Sequence, residues 1–87
     1  MIYRIKKKWL YGEGEKQSSV TIDVEGSQRI IRLDGVVRVD EMANHNLRVE
    51  YSFDVNGHHY CLVVSRGYLI WRRTYTLTVD GVLIPEQ

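Results

Sequence analysis

The chain has 87 residues, 44% of them apolar and 26% charged, with a formal net charge of +1. A chain of this length holds one hydrophobic core, so a single domain over residues 1–87 is expected. The near-neutral balance argues against a dedicated nucleic-acid binder, which ordinarily carries a strong basic excess.

No apolar run reaches the ~18 residues of a membrane-spanning helix, and MIYRIKKKWL at the N-terminus is too polar for a signal sequence. The lone cysteine, Cys61, cannot close an internal disulfide, which fits a reducing compartment. A cytoplasmic protein without a membrane partner is the expectation.

Ile2 to Tyr11 reads as the first strand. Tyr3, Ile5, Trp9 and Tyr11 share a face that Lys7 interrupts. Gly12 to Lys16 reads as a flexible loop. Val20, Ile22 and Val24 alternate with Thr21, Asp23 and Glu25, a half-buried strand. Gly26-Ser27 suits a type II′ turn with glycine first, pairing Ile22 with Ile31 and Val20 with Leu33.

Asp34-Gly35 is the next turn. A strict two-residue loop sets Arg38 against Ile31, which breaks the apolar pattern. Drawing Leu33 into the loop, with a bulge at Gly35, sets Ile31 against Val37 instead. That bulged turn is the expectation. Asp40 to Asn46, DEMANHN, loses the alternation and reads as a loop or at most one helical turn.

Leu47 to Arg66 is the strongest element. Leu47, Val49, Tyr51, Phe53 and Val55 alternate with polar residues up to Asn56-Gly57, the preferred pair for a type I′ turn. The register then sets Phe53 against Tyr60, Tyr51 against Leu62 and Val49 against Val64. On the other face Asp54 meets His59, Ser52 meets Cys61 and Glu50 meets Val63. A one-residue slip would turn Phe53 and Tyr51 to water. After Gly67, Leu69 to Val79 reads as a strand. Asp80-Gly81 closes a last hairpin, with Val82 against Val79 and Ile84 against Leu77, and Pro85 ends the pairing.

The reading is all-β: about eight short strands joined by hairpins, in two antiparallel sheets packed as a sandwich, with a small barrel as the second choice.

The C-terminal stretches NGHHYCLVVSR and TYTLTVDGVLIPE resemble the end of the Fas apoptotic inhibitory molecule family. Thr76, Leu77, Val79, Asp80, Ile84, Pro85 and Glu86 match that family's closing motif, and VTIDVEGSQRIIRLDG is similar to its strand, turn, strand and Asp-Gly run. The likeness spans Val20 to Glu86, about one of the family's two β-sandwich domains. This chain departs in having one domain and in the insertion Trp71-Arg72-Arg73. The resemblance implies a non-enzymatic cytosolic β-sandwich acting through protein contacts, associated with cell-death signalling and protection against protein aggregation.

The residues themselves show no catalytic constellation. His59 and Cys61 point the same way from one strand, with Asp54 opposite and His45 on a loop, but a closed zinc site needs four ligands. Structural metal sites ordinarily bring paired Cys/His spacings. An exposed His59–Asp54 pair beside a small semi-buried Cys61 is the simpler reading, so no metal and no cofactor are expected. A nucleophilic Cys61 would need a nearby cation or helix N-terminus; an all-β chain offers no helix terminus, and Cys61 falls mid-strand rather than in a cleft loop.

The binding candidates are Tyr68, Ile70, Trp71, Arg72 and Arg73, an arginine–aromatic run of the kind that makes interface hot spots. Trp71 also shares phase with Tyr75 and Leu77, which favours the core. Ile70 falls on the polar face, which suggests a protein partner or a homodimer contact there. A protein-interaction domain is the first reading. Small-ligand or single-stranded nucleic-acid binding through Trp9, Trp71 and the basic residues near them, Lys6 to Lys8 included, is the second.

Overall fold

A computed structural model describes residues 4–42, 48–66 and 73–87. These form eight strands in two four-stranded antiparallel sheets, the make-up of the two-sheet all-β sandwich expected from the sequence. The first sheet holds β1 (Arg4–Tyr11), β2 (Ser18–Glu25), β3 (Gln28–Leu33) and β4 (Val36–Met42), in that order. The second holds β5 (Arg48–Val55), β6 (His58–Arg66), β7 (Arg73–Val79) and β8 (Val82–Ile84), again in chain order. The chain divides into two compact units, one with β1–β4 and the C-terminal Glu86 and Gln87, the other with β5–β8.

In the first unit the apolar phase lies on one face. Trp9 sits across from Val20 and Val20 across from Leu33; Ile22 sits across from Ile31. All five are buried, as is Val24. Lys7 occupies the same face, opposite Ile22, and its ammonium reaches the Glu86 carboxylate at 3.5 Å. The lysine stem thus lies along apolar surface while its charge escapes sideways. Glu86 also bridges Trp9, and the Gln87 N–H donates to the Lys8 carbonyl at 3.0 Å. Arg29 shares the buried face at 1% exposure, opposite Val24 and Glu41.

In the second unit Phe53 faces Tyr60, Tyr51 faces Leu62 and Leu62 faces Leu77, as alternation and turn chemistry require. Asn56 (φ 53°) and Gly57 (φ 79°) make the expected type I′ turn. Leu62 and Leu77 are fully buried; each such side chain contributes about 2 kcal/mol of hydrophobic stabilisation. The Gly26-Ser27 and Asp80-Gly81 hairpins also hold the expected registers.

Three expectations are corrected. Asp34-Gly35 is a strict two-residue turn, with Leu33 paired to Val36 and positive φ at both central residues. The extra residue sits later, at Arg38, so that Ile31 meets Val39 and Arg32 meets Val37. The segment expected to loop from Asp40 instead continues β4 to Met42, where main-chain pairing with Gln28–Ile30 overrides the lost side-chain pattern. Gly12 to Lys16 is not merely a loop: Gly14–Lys16 forms one 3-10 turn, closed by Gln17 N–H donating to the Gly14 carbonyl at 3.3 Å. The rest of DEMANHN, the Leu69 to Arg72 part of the strand expected from Leu69 to Val79, and Ile2, Tyr3 and Leu47 lie outside the described residues.

Candidate functional site

Tyr68, Ile70, Trp71 and Arg72 fall outside the described residues. Arg73 opens β7, half-buried and directly opposite Arg66 on β6. Two like charges in one cross-strand pair are mutually repulsive, so positive charge is concentrated at this end of the ladder.

Trp9, the aromatic in the small-ligand or nucleic-acid reading, is 1% exposed. It presents no ring face on which a base could stack, which corrects its place in that reading. Lys6 and Lys8 point to the opposite face of β1 and are exposed.

The His58-His59 run is drawn into two carboxylate pairs at one end of the second sheet. His59 Nδ1 lies 2.7 Å from Asp54 Oδ1, and His58 Nδ1 lies 2.6 Å from Asp80 Oδ2. An ionised carboxylate only accepts, so in each pair the ring Nδ1 carries the proton. The His58 hydrogen bond, followed by the His59 main-chain N–H, holds the Asp80 carboxyl below its usual value. Among the described residues no three His, Cys, Asp or Glu side chains converge as metal ligands would. Cys61 is half-buried between Ser52 and Thr78.

A groove of about 220 Å³ crosses the outer face of the first sheet, lined by Arg4, Lys6, Asp23, Glu25, Gln28, Ile30 and Arg32. Alternation alone creates it, since every second residue of β1, β2 and β3 must turn to this side. The charges compensate across strands: Arg4 faces Glu25, Lys6 faces Asp23, and Arg32 Nη1 bonds Asp23 Oδ2 at 2.9 Å. Asp23 Oδ1 is buried and takes no hydrogen bond from a described residue.

Beyond the groove lies β4. Among the described residues it pairs with β3 on one side and with nothing on the other. Val36 is 52% exposed, Val37 49% and Met42 68%. An open edge with exposed apolar residues offers unpaired main-chain N–H and C=O groups to another strand. The sequence pattern does not mark this surface, because the alternation is lost from Asp40 to Asn46. The usable signal was the β-branched run Val36-Val37-Arg38-Val39 directly after a tight turn.

No known protein family, curated protein or solved structure matches this chain. No helix among the described residues is long and apolar enough to cross a membrane.

Proposed function

We propose that this protein is a non-enzymatic, cytoplasmic protein-interaction domain that receives extended segments of partner proteins at the open edge of β4. The supporting observation is that edge: a seven-residue strand with Val36, Val37 and Met42 exposed. Strand addition draws affinity from main-chain hydrogen bonds and selectivity from alternate side chains. The resemblance to the Fas apoptotic inhibitory molecule family supports the same reading. A domain that occupies the exposed strands of other chains would limit their aggregation, and cell-death signalling through protein contacts is the related role.

The test uses a synthetic polyglutamine peptide and thioflavin-T fluorescence. Substoichiometric wild type should lengthen the lag before fibrils form. Val37→Lys combined with Met42→Lys, both at exposed positions, should remove the delay without unfolding the domain. No delay with wild type, or an equal delay with the double variant, would overturn the proposal.

A further inference from the structure

We propose that Arg66 and Arg73 form a clamp for a phosphoryl group at the end of the β6–β7 ladder. The clamp belongs to the second unit and does not depend on the reading of β4.

The two arginines are the last cross-strand pair of that ladder. Arg66 is in phase with Leu62 and Val64 on β6, and Arg73 with Tyr75 and Leu77 on β7, so both side chains leave on the apolar face of the sheet. Residues directly opposite have Cα atoms about 5 Å apart, so both guanidiniums can reach one anion. Each arginine is half-buried, and the adjoining pair is Val64 and Tyr75. Partial exclusion of water strengthens the repulsion between the two cations, and equally their attraction for an anion.

The second unit supplies no carboxylate to neutralise them. From His45 to Pro85 its acids are Glu50, Asp54 and Asp80. Glu50 pairs with Arg48 at 2.6 Å, Asp54 with His59 at 2.7 Å and Asp80 with His58 at 2.6 Å. The two histidine pairs lie at the opposite end of the ladder, near the Asn56-Gly57 turn. Neither Arg66 nor Arg73 makes an ion pair with a described residue. The sequence between them, GYLIWR, has no acidic residue either.

The chemistry of the pair selects the anion. A carboxylate carries one charge and occupies one guanidinium fork. A phosphoryl group carries about −1.5 to −2 charges and three acceptor oxygens, enough to meet both forks. Free phosphate and a phosphorylated side chain share that chemistry.

Thermal melts of the whole chain test this, with inorganic phosphate replacing chloride at constant ionic strength. The Tm of wild type should rise and saturate, as binding to one site requires. Arg66→Gln and Arg73→Gln should each melt above wild type in chloride, because the like-charge pair is gone. Each should also need about tenfold more phosphate for half of the rise, the loss of one charge-assisted contact. Arg48→Gln, on the other face, should keep the wild-type response. A rise that never saturates and is equal in all four proteins is the general effect of phosphate on protein surfaces, and would overturn the clamp. So would a glutamine variant that melts below wild type in chloride, or one that keeps the full response. The side-chain Nε–H signals in NMR spectra of wild type need no variant: phosphate should shift those of Arg66 and Arg73, and no shift at either overturns the proposal. Capped phosphoserine in place of phosphate separates the two sources, both of which support the clamp: tighter binding assigns it to phosphorylated side chains, weaker binding to free phosphate.

Discussion

Asp80 holds the main chain of His59 on both sides of one residue. Its backbone N–H donates to the His59 carbonyl at 2.8 Å, and its Oδ1 accepts the His59 N–H at 2.8 Å. The first sheet repeats the device. Asp34 N–H donates to the Ser19 carbonyl at 2.8 Å, and Asp34 Oδ1 accepts the Ser19 N–H at 2.8 Å. In both sheets the first residue of the third hairpin's Asp-Gly turn clamps the second strand. The aspartates thus do more than supply positive φ. Each satisfies main-chain groups where a strand begins.

Asp80 gives a pH prediction. Its folded carboxyl is held below the ordinary 3.8, so the unfolded state binds its proton first. The stabilisation is fully present above that unfolded value and is lost as pH falls through the lower folded value. Thermal melts of wild type should therefore show Tm falling on the acid side of about pH 4. In Asp80→Asn the amide oxygen can still accept from His59, but the acid-dependent part should shrink. An unchanged acid slope in the variant would count against the His58–Asp80 linkage.

The core prediction separates two residues of one hairpin. Phe53 is half-buried and stacks on Tyr60, ring centroids 5.4 Å apart and planes 12° apart. Leu62 is 0% exposed. Truncating a fully buried aromatic costs about 3–5 kcal/mol. With part of its surface already in water, Phe53→Ala should cost about 2 kcal/mol. Leu62→Ala should cost about 3 kcal/mol, since it leaves a closed cavity. Urea denaturation should rank Leu62→Ala as the more damaging; the reverse order would show that the Phe53 face is more enclosed than its exposure indicates.

Much of this fold could be read from the sequence wherever one face of a strand is buried. Tyr51 and Leu77 alternate with polar neighbours, and Asn56-Gly57 admits one register, which sets Leu62 between them, so pattern and turn agree. The Asp34-Gly35 hairpin shows the limit. Its pattern requires one extra residue between Ile31 and Val39, but alternation is the same whether that residue sits in the turn or in the strand. The Asp34 clamp on Ser19 ties the turn to β2, and the extra residue falls at Arg38. Edge strand β4 shows a second limit. Apart from half-buried Val39, its residues are exposed, so burial imprints no period on Asp40 to Met42. The candidate contact surface lies where the sequence pattern is weakest, for the same physical reason.

Two glycines isolate a steric effect from a conformational one. Gly12 and Gly35 both have positive φ, +97° and +82°. A Cβ on Gly35 would meet nothing within 4 Å, whereas on Gly12 it would lie 2.7 Å from the Lys16 carbonyl oxygen. Gly35→Ala should cost about 1–2 kcal/mol, the penalty for an L-residue in the left-handed region. Gly12→Ala adds displacement of the 3-10 turn and should cost about 3 kcal/mol. Equal costs, measured by chemical denaturation, would show that the β1–β2 connection yields freely.

The last prediction concerns the groove. Asp23 and Arg32 are diagonal neighbours on β2 and β3, and their bond at 2.9 Å is part-buried. Asp23 Oδ2 is the oxygen that Arg32 holds, while Oδ1 is buried without a partner among the described residues. Removing Arg32 leaves the carboxylate with neither oxygen satisfied by that neighbour, and an uncompensated acceptor costs more than a formed bond contributes. Arg32→Ala should therefore cost about 1–2 kcal/mol, discounted for the solvent that reaches both side chains. Asp23→Thr removes the orphan oxygen and supplies a β-branched strand residue, so it should cost less than Arg32→Ala. In the double variant the two effects should be less than additive, because the buried charge is gone. Additive losses in urea titrations would mean that Arg32 and Asp23 stabilise the sheet independently, each through its own packing.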